Sequence, residues 1–97
     1  MRTYQVDGSS VTDVVSLCSA FAQAVDAPKG YFGRDLQSFD DCLFGGFGLV
    51  APCEIVWEHS AVARQQLGTL FDEVVEAITT VSTRASDPAW KIRLSLK

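Results

Sequence analysis

An α/β fold, with a small three-stranded parallel sheet packed with helices, is what the apolar pattern of this chain predicts. Three β-prone runs, Thr3 to Val6, Cys53 to Trp57 and Trp90 to Leu96, are separated by long stretches with helical spacing. Parallel neighbours need crossover connections of that kind. The length, 97 residues, predicts one domain covering residues 1–97, because a chain this short builds a single core. With 47% apolar and 21% charged residues, the composition is that of a chain that folds alone, far from the polar, highly charged sequences that stay disordered.

Thr3 to Val6 forms the first predicted strand, closed by the turn signal Asp7-Gly8 and followed by Ser9-Ser10, residues suited to capping a helix. From Val11, apolar residues at Val14, Val15, Cys18, Phe21, Ala22 and Val25 keep to steps of three and four, which predicts a helix with one buried face. Ala27-Pro28-Lys29-Gly30 stops it. Gly33 to Phe44 forms a second predicted helix, with Asp35 near its positive end. At about 100° per residue, Leu36, Phe39 and Leu43 share the buried side and Asp41 projects almost opposite to it. Gln37, Asp40 and Phe44 lie on the outer half beside Asp41, so one patch combines two carboxylates, an amide and an aromatic ring.

Gly45-Gly46-Phe47-Gly48 reads as a loop, and Pro52 leads into the strand-like run Cys53-Glu54-Ile55-Val56-Trp57. Ser60 to Leu67 suits a short helix that Gly68 interrupts. Thr69-Leu70-Phe71-Asp72 has the form of a capping box ahead of Phe71, Val74, Val75, Ile78 and Val81, predicting a helix to about Thr83. Asp87-Pro88 then makes a turn. Trp90, Ile92, Leu94 and Leu96 alternate with Lys91, Arg93 and Ser95, the pattern of a half-buried strand.

The formal charge is −4, and it is unevenly spread. The last fourteen residues carry +3 (Arg84, Lys91, Arg93 and Lys97 against Asp87), which leaves −7 on Met1 to Thr83. Such a body repels phosphate, arguing against nucleic acid as a ligand and for a basic protein partner. Cys18, Cys42 and Cys53 stand 24 and 11 residues apart, without the close pairs that zinc or redox chemistry uses. An odd number of scattered thiols fits a reducing, cytoplasmic setting. The N-terminal run has no apolar core of a signal peptide, and no uncharged stretch reaches the roughly 20 residues of a membrane helix. The sequence therefore points to no membrane, no metal and no cofactor.

Enzyme readings find little support. His59 is the single histidine, placed just after a predicted strand where a general base can sit. No cysteine near it carries an activating pattern, so a thiol enzyme using Cys53 and His59 is the weakest of the readings. Gly45 to Gly48 lacks the lysine and the spacing of a phosphate-binding loop. Asp72, Glu73 and Glu76 complement a helix dipole and extend the negative surface. The patch around Asp41 differs in kind: carboxylates flanked by Tyr31, Phe44 and Phe47 have the make-up of a protein-binding hot spot.

The run Tyr31-Phe32-Gly33-Arg34-Asp35-Leu36-Gln37-Ser38-Phe39-Asp40-Asp41-Cys42-Leu43 resembles the signature of the barstar family of ribonuclease inhibitors, Tyr-Tyr/Phe-Gly-x-Asn/Asp-Leu-Asp-Ala-Leu-x-Asp-x-Leu, in register throughout. Around it, a strand ending in Val6-Asp7-Gly8, a helix ending at Ala27-Pro28 and Pro52 five residues before Trp57 agree with the family more loosely. The resemblance implies a barstar-like fold and a non-enzymatic inhibitor, a monomer when free. Its partner would be a small basic secreted, guanyl-specific bacterial ribonuclease, bound one to one. It implies too that the signature helix and its flanking loops plug the nuclease, with Asp41 standing where an RNA phosphate would sit.

By the same resemblance, Tyr31 matches an interface tyrosine, Arg34 lies beside it, and Asp35 stands where the family's namesake inhibitor has an asparagine. Gln37 replaces an interface aspartate, Asp40 a tryptophan and Phe44 a threonine. Gly45 and Gly46 fall in the interface loop, Gly46 aligning with a tryptophan. That loop is two residues longer here, which makes Phe47 the other candidate for the tryptophan's place. Glu76 and Thr80 are alternative counterparts of an acidic contact on the later helix. The same surface would also serve an immunity or regulatory protein of this fold that binds a different basic target.

Overall fold

Strand β1 (Arg2–Asp7), strand β2 (Cys53–Glu58) and strand β3 (Ile92–Leu96) form one sheet in the order β1-β2-β3, with both pairs parallel. This computed structural model describes residues 2–43, 48–50, 52–84 and 91–97, with side chains apart from those of residues 82–84. Between β1 and β2 run helices α1 (Val14–Val25) and α2 (Leu36–Leu43); between β2 and β3 run α3 (Ser60–Leu67) and α4 (Thr69–Arg84). The expected α/β class and parallel sheet are therefore present.

Register sorts the side chains into two faces. Tyr4, Ile55 and Leu94 lie abreast, as do Val6, Trp57 and Leu96, and along β2 buried Cys53, Ile55 and Trp57 alternate with half-buried Glu54, Val56 and Glu58. The opposite face is polar: Thr3, Glu54 and Arg93 are neighbours there, and Glu54 accepts a hydrogen bond from Ser95 Oγ at 2.9 Å. On the core side, Phe21 from α1 meets the ring of Phe39 from α2 edge-on at 4.9 Å and that of Trp57 from β2 at 5.8 Å. Trp57 in turn lies 4.9 Å from Phe71 on α4. Such ring pairs contribute about 0.5–1.5 kcal/mol each beyond area burial, and they join three helices to the central strand.

Several boundaries differ from expectation. Helix α1 begins at Val14, not Val11: Asp13 caps it by accepting the Ser16 N–H, while Ser16 Oγ accepts the Asp13 N–H. Ser9 and Ser10 lie instead in a short 3-10 turn whose cap is Asp7. Val15, expected on the buried face, is 57% exposed, and Leu17 and Ala20 occupy the core instead. Thr69 is the first residue of α4 and so not its cap. The last described strand starts at Ile92, with Lys91 outside it. Trp90 and the Asp87-Pro88 turn fall outside the described residues, as do Ala51 and the loop residues 44–47.

Candidate functional site

Helix α2 is eight residues long, and its orientation is set from both sides. Phe39, Cys42 and Leu43 are buried, Leu36 and Asp40 are half-buried, and Gln37 and Asp41 are exposed. Anchoring Phe39 in the aromatic cluster leaves Asp41 pointing to solvent, as the 100° spacing predicts. Asp40, expected on the outer half, lies closer in because a second helix runs beside it.

The start of α2 is fixed by its own side chains. Ser38 donates its backbone N–H to Asp35 Oδ1 at 2.8 Å, and Ser38 Oγ accepts the N–H groups of Arg34 at 2.9 Å and Asp35 at 3.2 Å. These bonds satisfy amides that a helix start leaves unpaired. They also hold the Asp35 carboxyl below its usual 3.8, chiefly through the Ser38 backbone N–H and then its hydroxyl. The helix thus begins three residues later than Gly33, which has φ +94° and turns the chain beneath the first helical turn. A Cβ there would come within 2.7 Å of the Phe39 nitrogen.

Gln37 and Asp40 share a groove of about 530 Å³ with Leu36 on the α2 side and with Glu73, Glu76, Ala77, Thr80 and Val81 on α4. Both candidates for the later-helix contact, Glu76 and Thr80, therefore lie opposite α2. Glu73, read from the sequence only as part of an acidic helix start, joins them there. Its signal was available: residues 73, 76 and 80 recur at steps of three and four and so share one helix face. Tyr31 and Arg34 are exposed just ahead of α2. Phe44, Gly45, Gly46 and Phe47 lie outside the described residues.

The Cys53 and His59 pair is not assembled. Cys53 sits at the start of β2 and His59 beyond its end, about 20 Å apart at strand rise. The Cys53 thiol is buried and pushed up to about 11 by that burial. His59 adopts a left-handed conformation, φ 53°, at the entry to α3 and makes no side-chain capping bond. Among the described residues there is no group of three or more His, Cys, Asp or Glu side chains that could hold a metal ion, and no helix is long and apolar enough to cross a membrane. The α2 surface thus offers carboxylates and amides without an activated nucleophile, which suits the capture of cationic groups.

The family model described as Barstar (barnase inhibitor) matches residues 1–97. The chain is also similar to "Putative ribonuclease inhibitor YrdF" of Bacillus subtilis (strain 168), with 29% identity over 87 residues that cover 90% of this chain and 92% of that protein.

Proposed function

The chain belongs to the barstar family, and from that premise we propose that it inhibits a small, basic, secreted guanyl-specific ribonuclease by occupying its active site. The observation that carries the reading is Asp41: a carboxylate presented to solvent from a helix whose other side is locked into the core. In the bound state Asp41 takes the position of an RNA phosphate and receives charge-assisted hydrogen bonds from the nuclease's cations. Asp35, Asp40 and Glu76 supply further negative charge around it, with Tyr31, Arg34 and Gln37 at the rim. The chain acts as a monomer in a one-to-one complex, in the cytoplasm where the nuclease is made; three unpaired cysteines suit such a reducing compartment.

The test is a titration of the chain against a panel of guanyl-specific ribonucleases, followed by RNA cleavage. At least one member loses its activity stoichiometrically. A panel left fully active at micromolar inhibitor overturns the proposal.

A further inference from the structure

Two cations stand on the segment that leads into α2, and the fold needs neither of them. Lys29 and Arg34 are exposed, one before and one after the exposed Tyr31, while Phe32 between them is buried and pins the segment to the core. Neither cation makes an ion pair among the described residues. Arg34 exerts only the smallest of the influences on the neighbouring Asp35 carboxyl. That carboxyl's Oδ1 already accepts the Ser38 N–H and the Ser38 hydroxyl, each at 2.8 Å.

Both cations also occupy positions that local physics disfavours. The Asp35 carbonyl accepts the Phe39 N–H at 2.9 Å and so opens α2, which places Arg34 at the positive end of that helix, where a cation is repelled. Lys29 has φ 58°, a left-handed conformation that favours glycine or asparagine. The Arg34 backbone is nonetheless fixed, because Ser38 Oγ accepts its N–H at 2.9 Å. Its guanidinium therefore departs from a defined point, about 10 Å from Asp41 at the rise of an α-helix. The signature segment is thus positive at its start and negative further on, with Asp40, Glu73 and Glu76 in the groove of α2 and α4 and Asp41 exposed.

We propose that Arg34 determines which ribonuclease the chain accepts, by pairing with a carboxylate on the rim of the nuclease outside the pocket that receives Asp41. This rests on the inhibitory function proposed above. A nuclease that is basic overall repels the Lys29 and Arg34 end wherever it presents lysine or arginine there, and an aspartate or glutamate in that place turns the repulsion into a contact. Arg34 is the more selective of the two cations, since a guanidinium on a fixed backbone can grip a carboxylate through two parallel hydrogen bonds.

The sign of one substitution decides. Arg34→Ala removes a positive charge from a chain of charge −4, and against a basic nuclease with no carboxylate facing Arg34 that change tightens binding. With the carboxylate in place, Arg34→Ala instead raises the inhibition constant for the ribonuclease that the titration identifies by about tenfold or more, and Arg34→Glu raises it further. The melting temperature of free Arg34→Ala stays level or rises, because the start of α2 loses a repelled cation. Alanine substitution of the nuclease's surface aspartates and glutamates, one at a time, finds one whose loss weakens the wild-type complex by the same factor and leaves the Arg34→Ala complex unchanged. A tighter or unchanged complex with Arg34→Ala overturns the specificity role, and so does a weaker one that no nuclease carboxylate is coupled to; if Asp41→Ala still weakens binding, the inhibitory function survives. A wild-type chain that silences no ribonuclease overturns both.

Discussion

Asp41 and its neighbour Cys42 are adjacent in sequence and opposite in circumstance. The Asp41 side chain makes no hydrogen bond or ion pair among the described residues, so its removal leaves the fold intact. Asp41→Ala is therefore expected to keep its melting temperature and to bind the ribonuclease more weakly by more than about 2 kcal/mol, the general threshold for a central anchor, of which barstar's own aspartate is a known example. Equal inhibition constants for variant and wild type would refute this. Cys42 faces inward, and burial raises its thiol, with the Asp41 charge adding to the effect. Burial lifts Cys18 and Cys53 from 9.0 to about 11. Since the unfolded chain releases these protons near 9.0 and the folded chain keeps them to about 11, stability falls as pH rises through that interval. At pH 8 a thiol reagent should label none of the three cysteines in native protein and all three in denaturant; rapid native labelling would contradict their burial.

At the scale of elements, the sequence pattern located every α-helix and strand that the structure describes; it set the starts of β2 and α3 and misplaced those of α1 and α2. Apolar spacing reports which face is buried, whereas a helix start depends on which side chain reaches back to the free amides. Asp13-Val14-Val15-Ser16 and Asp35-Leu36-Gln37-Ser38 use the same device, an aspartate and a serine three residues apart. Serine in place of the usual glutamate or glutamine hides this device from the sequence pattern. For Asp35 the cap and the charge are separable. Asp35→Asn keeps an acceptor for the Ser38 N–H and should retain thermal stability, while Asp35→Ala should lower it; both should slow association by removing a negative charge. Equal loss of stability in the two variants would show that charge, not the cap, holds the start of α2. The depressed carboxyls of Asp7, Asp13 and Asp35 stabilise the fold fully above their unfolded value of 3.8. That contribution is lost as pH falls through their lower folded values.

Across the whole molecule, net charge and core architecture act separately. On the proposed function, long-range attraction between a chain of charge −4 and a basic nuclease should steer their encounter, so the association rate is expected to fall steeply as salt rises while the dissociation rate changes little. Stopped-flow binding at low and high ionic strength measures this, and a salt-independent association rate would count against steering. The sequence by itself determined the fold class, the parallel sheet, the outward direction of Asp41 and the family, because each depends on local periodicity or on a contiguous signature. The tertiary structure alone decided that α4 runs beside α2 and brings Glu73, Glu76 and Thr80 to Gln37 and Asp40. It alone joined Tyr4 to Val50 across 46 residues. Both follow from how the helices pack around the ring cluster of Phe21, Phe39, Trp57 and Phe71, and contacts between elements distant in sequence leave no periodic trace in any one of them.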